Sequence, residues 1–232
     1  MRLPGPLYAG ILRQRYKRFL ADVELTDGRL VTAHCADPGR LPGLAVPGAR
    51  VWLSRRDDPK RKLAWTLEMI AQGEALVAVN SQNPNRIARE GLEAGRFGWA
   101  AGWTELRREP RIEGGTRLDF RLTYDGDRPP LFLEVKGVTW KRDGLALFPD
   151  APTMRGRRHL GVLERLAREG FGAAMLFIAQ RRDVEAFRPA ADVDPAYAEA
   201  LLRARSAGVW VGAWRCGINQ SEIYLDKKIP VV

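Results

Sequence analysis

The 232-residue sequence contains few residues of the kinds that build disulfide frameworks and zinc sites, with only two cysteines and two histidines. Cys35 and Cys216 lie far apart in apolar, strand-like segments, so we expect reduced thiols in the core, with a disulfide as the alternative. His34 and His159 show no zinc-ligand spacing. Because hydrophobic residues make up 45% of the chain, the sequence predicts a fold held by an ordinary hydrophobic core.

Long hydrophobic runs are also missing. No apolar segment approaches the roughly 18 residues that would span a bilayer. Residues 1–10 lack the apolar stretch of a secretory signal. Internal repeats and low-complexity segments are absent from the sequence. We therefore expect a cytoplasmic protein with no membrane partner.

Acidic residues are outnumbered, with 28 Asp and Glu against 38 Lys and Arg, which gives a net charge of +10. The excess is +5 over residues 1–80 (13 basic, 8 acidic), +1 over residues 81–150 (12 and 11) and +4 over residues 151–232 (13 and 9). A strongly basic chain favours a polyanionic partner. The alternative is that arginine-rich composition serves solubility alone.

The first 80 residues predict short strands separated by turns. Thr26-Asp27-Gly28 marks a hairpin between the first two of them. The predicted strands are Phe19–Leu25, Leu30–Cys35, Ala49–Leu53, Leu63–Ala71 and Ala75–Val79. Their spacing predicts a five-stranded, OB-like β-barrel over residues 1–80, a fold that often binds oligonucleotides. The loop Asp37–Gly43, basic at Arg40, is either a binding loop or a plain connector.

The pattern changes after residue 80 and predicts an α/β (α+β) domain with a mixed sheet over residues 81–232. Asn83 and Pro84 begin a helix that ends at Gly95. The element order is α-β-β-β-α-β with an α-β extension. The predicted segments are strands Trp103–Ile112, Leu118–Tyr124, Leu131–Val138, Ala173–Ala179 and Val209–Cys216, helices His159–Glu169 and Pro195–Ala207, and an extended piece at Ala146–Asp150.

One predicted strand carries two charges within a buried apolar run. Glu134 and Lys136 are two residues apart, so they share a face of the strand. Asp119, at the end of the preceding predicted strand, is brought beside Glu134 by the turn between the two strands. Two adjacent carboxylates favour a Mg²⁺ or Mn²⁺ ion that activates water, with Lys136 positioning that water or neutralising the developing charge. The alternative is a structural Glu–Lys pair, with Asp119 satisfied by Arg117.

Further residues are candidates for contact with a ligand. Glu90, on the helix after Asn83, is a weak candidate for a third metal ligand. Two basic groups could contact phosphates: one is interleaved with aromatic side chains near the N-terminus, and the other lies just before the helix predicted at His159. The alternative for both is a solvated charged face. The candidate nucleic-acid contacts are Arg13, Arg15, Lys17, Arg18, Arg40, Arg155, Arg157, Arg158 and His159.

Several segments of the sequence resemble the sugar fermentation stimulation protein A (SfsA) family. They are Arg15–Val23, Val31–Cys35, Asn83–Arg86, Leu133–Lys136, Leu147–Ala151 and Arg155–Leu160. The resemblance implies an OB-like barrel joined to a nuclease-like domain of the PD-(D/E)XK type. That superfamily's acid and Glu-x-Lys residues map onto Asp119, Glu134 and Lys136, and its helical acid maps less securely onto Glu90.

The same resemblance implies DNA binding and a link to the regulation of sugar (maltose) metabolism in bacteria. One departure is that the family's Pro-Asn-Thr-Gly-Ser run after the cysteine is replaced here by residues 36–40, Ala-Asp-Pro-Gly-Arg. We expect a DNA-binding protein with a metal-dependent nuclease site, RNA and a homodimer staying open. The alternatives are a non-catalytic DNA-binding regulator and an enzyme acting on a phosphorylated metabolite.

Overall fold

The computed structural model describes residues 1–112 and 114–232, and its N-terminal part is a closed β-barrel. Within the described residues, five strands close the barrel in the order β3-β2-β1-β4-β5, and parallel pairing of β3 with β5 completes the circle. The strands are β1 Leu7–Tyr16, β2 Leu20–Leu25, β3 Leu30–Cys35, β4 Arg50–Arg55 and β5 Trp65–Gln72. A short strand, β6 Ala75–Ala78, pairs only with β5.

The predicted barrel is confirmed, but one of its strands differs from the prediction. The sequence analysis missed β1, because its second half is basic and polar and lacks the alternation of a half-buried strand. The segment predicted as the fifth strand is β6, which lies outside the closed barrel. Alternate side chains of β2 and β3, such as Val23 and Ala33, are fully buried in the barrel core.

The rest of the chain forms a mixed sheet in the order β15-β14-β12-β9-β8-β7. Helix α1 packs on one face, and helices α2 and α3 pack on the other. A smaller sheet has the order β10-β11-β13. The elements are α1 Asn83–Glu93, a 3₁₀ turn Gly98–Ala100, β7 Trp103–Arg108, β8 Phe120–Tyr124, β9 Leu131–Val138, β10 Trp140–Arg142, β11 Leu145–Phe148, α2 Met154–Arg168, β12 Gly172–Ala179, β13 Ala186–Pro189, α3 Pro195–Ser206, β14 Trp210–Ile218 and β15 Ile223–Ile229.

The start of α2 corrects one prediction. The helix begins at Met154 rather than at His159, because the Thr153 hydroxyl caps it by accepting the Gly156 N–H at 3.0 Å. Arg155 and Arg158 therefore lie within the first turns of α2 and not before it. The strands β10, β13 and β15 were also missed by the sequence analysis.

Strand β9 has the predicted range, and helix α1 packs against it. Its residue Gly137 lies against Pro84 of α1 so closely that a Cβ built there would come within 2.6 Å of the proline Cγ. Glycine at this position therefore lets α1 approach the end of the strand. In the first turn of α1, Asn85 donates a hydrogen bond to Asp119.

One hydrophobic core is continuous across the barrel and the large sheet. Trp52 and Met69 of the barrel belong to the same buried cluster as Leu133 and Trp214 of the sheet. The β6 residue Ala78 adds a backbone hydrogen bond to the Gln180 carbonyl at 3.0 Å. Both cysteines are buried free thiols. No helix of the described residues is long and apolar enough to cross a membrane.

Candidate active site

Glu134 of β9 is the centre of a buried polar cluster. Its Oε1 accepts hydrogen bonds from Lys136 Nζ on the same strand and from His159 Nδ1 on α2. Its Oε2 is buried and has no hydrogen-bond partner among the described residues. Lys136 is the part of the cluster that solvent reaches, with 15% of its side chain exposed. The cluster thus offers one free carboxylate oxygen and one accessible ammonium group.

Asp119 joins the cluster at the point where β8 and β9 separate. The β8–β9 ladder ends at the Phe120–Leu133 pair, and Asp119 N still donates to the Leu133 carbonyl at 3.1 Å. Beyond that point the Asp119 carboxylate replaces a backbone partner, because its Oδ2 accepts the Val135 N–H at 2.7 Å. Its Oδ1 accepts Asn85 Nδ2 of α1, also at 2.7 Å. Two elements, β9 and α1, therefore hold this side chain.

The two acids have opposite pKa shifts. Burial, helped by the negative charge of Glu134, raises the pKa of Asp119 to about 6 against the hydrogen bonds from Val135 and Asn85. Burial also pushes the pKa of Glu134 upward, but the hydrogen bond from His159 and the charge of Lys136 outweigh it, so the net shift is downward. The surroundings of the pair therefore disfavour the charged form of Asp119 and favour that of Glu134.

Tyr197 of α3 is a further buried group near this charge. Its hydroxyl has no hydrogen-bond partner among the described residues, and burial together with the charges of Glu134 and Asp194 raises its pKa well above 10. Asp194 holds the helix in place, because it accepts the Tyr197 N–H at 3.0 Å and the Thr153 N–H at 2.8 Å. The starts of α2 and α3 are thus tied together beside Glu134.

The structure brings together the three residues of the predicted site and separates other candidates from it. Arg117 contacts Glu109 at 3.7 Å, so the alternative in which it satisfies Asp119 is not what the structure shows. Glu90 pairs with the Met1 amino group at 2.7 Å, and its side chain is 53% exposed. The α1 residue that contacts Asp119 is Asn85. Within the described ranges, no three His, Cys, Asp or Glu side chains form a group that could hold a metal ion.

A basic pocket of about 410 Å³ opens beside His159. Residues 114–116 and Arg117 line one side, and Arg155 and Arg158 of α2 line the other. Arg155 and Arg158 are exposed and form no ion pair with any residue that the structure describes. Arg157 lies between them in sequence and is partly buried. We call this pocket the cleft.

The basic residues predicted on the barrel are placed differently. Arg13 pairs with Glu24, and Arg15 donates to the carbonyls of Asp37 and Gly39 at 2.8 Å each. A third, longer bond joins Arg15 to the Arg40 carbonyl at 3.4 Å. Arg13 and Arg15 therefore serve the barrel itself. Three other predicted contacts, namely Lys17, Arg18 and Arg40, are exposed.

The loop that departs from the family's usual run is nevertheless ordered by its own side chains. Asp37 Oδ1 accepts the Gly39 N–H at 2.7 Å, which closes an Asx-type turn. Asp150 Oδ2 accepts the Leu41 N–H at 3.1 Å and ties the loop to the segment after β11. Two aspartates, Asp37 and Asp150, thus supply hydrogen bonds that hold this loop in place.

The sequence analysis missed two residues of the cluster. Asn85 gave a signal, because an asparagine beside the proline at a helix start commonly contacts neighbouring backbone or side chains. The sequence contains no such signal for Tyr197, because the residue occupies an ordinary buried position of helix α3. Its place beside Glu134 depends on how α3 docks.

Comparison with known proteins gives matches over nearly the whole chain. A family model described as "Sugar fermentation stimulation protein RE domain" matches residues 82–222, and one described as "SfsA N-terminal OB domain" matches residues 14–79. A relative from Maricaulis maris, named sugar fermentation stimulation protein homolog, is 43% identical over 100% of this chain and 98% of its own. A relative of the same name from Syntrophotalea carbinolica is 46% identical over 100% and 99%.

A solved structure has the same fold. The structure of Pyrococcus furiosus SfsA in complex with Ca²⁺ superposes with a TM-score of 0.91 at 27% sequence identity, covering 100% of this chain and 98% of that one.

Proposed function

The chain belongs to the sugar fermentation stimulation protein (SfsA) family, and from the geometry of its cleft we propose that it is a DNA-binding, divalent-metal-dependent nuclease. The observation that carries the proposal is the convergence of Asp119 and Glu134, from separate strands, beside the Lys136 ammonium. The substrate bond is a phosphodiester, because the cleft beside these groups is lined by arginines.

The residues present fit a small divalent cation such as Mg²⁺ or Mn²⁺. Glu134 Oε2 is a buried oxygen without a protein partner among the described residues, and the negative charge of Glu134 adds to burial in raising the pKa of Asp119, so a cation shared by the two carboxylates would relieve their repulsion. Mg²⁺ typically takes one or two carboxylates and completes its shell with water and substrate phosphate oxygens, so two acids are enough. The Ca²⁺ in the Pyrococcus furiosus relative supports a divalent site in this family fold.

Bound between Asp119 and Glu134, such a cation would lower the pKa of a coordinated water and offset charge on the phosphoryl oxygens. The side chains of this protein supply the remaining roles. Lys136 is placed to orient the attacking water and to donate to the developing oxyanion. His159 holds Glu134 Oε1, while Asn85 and the Val135 N–H hold Asp119. Arg155 and Arg158 bind the flanking phosphates.

A cleavage assay tests the proposal. The full chain is incubated with labelled single-stranded DNA, duplex DNA and RNA in Mg²⁺, Mn²⁺ or EDTA. We expect cation-dependent cleavage that falls at least 100-fold in Lys136→Ala and in Glu134→Gln. Arg203→Ala is the matched control, since Arg203 lies on α3 in a surface pair with Glu199. Wild-type cleavage no faster than the Lys136→Ala background would remove the catalytic proposal.

One observation favours a second function, that of a non-catalytic DNA-binding regulator of sugar-metabolism genes. Lys136 and His159 both bond Glu134 Oε1, so the protein itself supplies part of the charge that the acid needs. Such a protein would bind DNA in EDTA with strong salt dependence, and Asp119→Ala would leave the affinity unchanged or raise it. Tight binding without hydrolysis in every cation would select this function.

A further inference from the structure

A second basic groove of about 430 Å³ continues from the cleft. One wall consists of Arg107–Ile112, which is the end of β7 and the residues after it, together with Arg117 shortly before β8. We call the described residues Arg107–Ile112 and Gly114–Arg117 the arm. The arm folds back on itself, because Arg111 and Arg117 pair in an antiparallel bridge and Ile112 N donates to the Thr116 carbonyl at 2.8 Å. The other wall is the C-terminal half of α2.

The groove concentrates positive charge that the described part of the protein leaves largely unbalanced. Arg107, Arg108 and Arg111 of the arm are exposed, and they make no ion pair with a described residue. Of the residues that the structure describes, two acids line the groove: Glu109, which is 3.7 Å from Arg117, and Glu169, which is 3.9 Å from Arg165. A concave surface with this imbalance attracts an anionic ligand of several charges.

The floor of the groove is aromatic. Phe132 and Phe171 contact edge to face with ring centroids 5.8 Å apart, and Phe171 is 37% exposed. The Arg121 guanidinium carbon lies 6.0 Å from the Phe132 ring centroid, and its Nε is buried without a partner among the described residues. An exposed ring beside arginines suits a nucleobase stacked on the ring with its phosphates on the guanidinium groups. The bases of a duplex are already stacked on one another, so this floor favours unpaired nucleotides.

The groove is continuous with the cleft because Arg117 lines both. Phe132 is also two residues before Glu134 on β9, so the two side chains share one face of the strand. We propose that this groove binds a single-stranded nucleic-acid segment, with its phosphates on the arm arginines and a base against Phe171. The proposal rests on the function proposed above, and it specifies the substrate as a chain that is unpaired next to the cleft.

Binding without cleavage tests the groove separately from the cleft. Fluorescence anisotropy in EDTA measures the affinity of the full chain for a labelled 12-nucleotide single strand and for its duplex. We expect the double variant Arg107→Ala/Arg111→Ala to lose at least 10-fold in single-strand affinity at low salt and to show a shallower salt dependence. Phe171→Leu keeps an apolar side chain against Phe132 and loses about 5-fold or more without a change in salt dependence.

The matched control is Arg203→Ala/Arg205→Ala, which removes two arginines from α3, and we expect a change of less than 2-fold. Unchanged single-strand binding in both groove variants, with wild type binding tightly, overturns this inference and leaves the proposed nuclease function standing. Equal losses for single strand and duplex in Phe171→Leu overturn the assignment to unpaired nucleotides. A wild-type chain that binds neither nucleic acid overturns the groove and the proposed function together.

Discussion

The protein contains two clusters of acidic and basic side chains at different places, and they shift the pKa of their aspartates in opposite directions. At the junction between barrel and sheet, Asp183 accepts from Arg181 at 2.7 and 2.9 Å and also from Lys141. Arg181 is 1% exposed and uses its other donors on the Thr139 carbonyl and on Gln72 Oε1, each at 2.8 Å. Burial pushes the pKa of Asp183 up, but these cations outweigh it and lower the pKa to about 2.

At Asp119, beside the cleft, the effects of burial and of neighbouring charge on the pKa combine in the opposite direction. Asp119 faces the charge of Glu134 and has only a neutral amide and one backbone N–H as direct donors among the described residues, so its pKa rises to about 6. At the junction, Arg181 and Lys141 bond Asp183 directly, whereas no cationic side chain among the described residues bonds Asp119. The cation proposed above would supply positive charge at the second place, while the first already has its own.

The largest predicted loss of stability comes from a substitution at the junction. It tests whether that cluster contributes more to folding than the cluster around Glu134. Arg181→Met leaves the buried Thr139 carbonyl and Gln72 Oε1 without this donor and leaves Asp183 with Lys141 alone, so the free energy of unfolding should fall by about 3 to 5 kcal/mol. The matched cleft variant, Lys136→Met, should lose less than half as much because His159 still bonds Glu134. Urea unfolding at pH 7.5 in EDTA measures both. Equal losses would show that the two clusters are equally structural.

The next predicted change is a gain in stability rather than a loss. At pH 7.5 in EDTA, Asp119→Asn should stabilise the protein by about 3 kcal/mol, because folding disfavours an ionised acid whose pKa is raised from 3.8 to about 6. The Asn85 amide can turn its oxygen toward the new side chain. Since the folded acid takes up its proton as the pH falls through 6, the gain should shrink and vanish below about pH 4. Thermal melts across pH 4 to 8 test this, and a destabilised variant would contradict it.

The smallest predicted change in stability follows from the protonation of Asp183 at low pH. Its pKa is lowered from 3.8 to about 2, so its carboxylate contributes about 2 kcal/mol that is fully present above pH 4 and is lost as the pH falls toward 2. The stability difference between wild type and Asp183→Asn should therefore narrow only below pH 4. Urea unfolding of the two proteins at several pH values checks this. A gap that closes between pH 5 and 7 would assign the contribution to another group.

The sequence predicted the strand at the centre of the site better than the groups around it. A long apolar run that carries charges at Glu134 and Lys136 is typical of a buried strand entering a polar site, and β9 has the predicted range. Asn85 and His159 contact Asp119 and Glu134, and Tyr197 lies near Glu134, only because helices dock on both faces of the sheet. That docking depends on contacts such as Pro84 on Gly137, which no local pattern reports.

The basic residues illustrate the same limit. Arg15 and Arg158 look alike in sequence, since each belongs to a short run of arginines and lysines. The difference is that the loop after β3 folds its carbonyls onto Arg15, whereas no described residue pairs with Arg158. Strand β1 was missed for a related reason, because charged side chains on a barrel's outer surface hide the alternation of the buried positions.

The hydrophobic cluster shared by Trp52, Met69 and Leu133 has a thermodynamic consequence for the whole molecule. Because this cluster spans both parts, we expect the barrel and the large sheet to unfold together in one transition. Any ion or oligonucleotide that binds only the folded cleft then protects the barrel from heat as well, by an amount set by its concentration relative to its Kd. A calorimetric scan of the intact protein is therefore a ligand screen that needs no turnover.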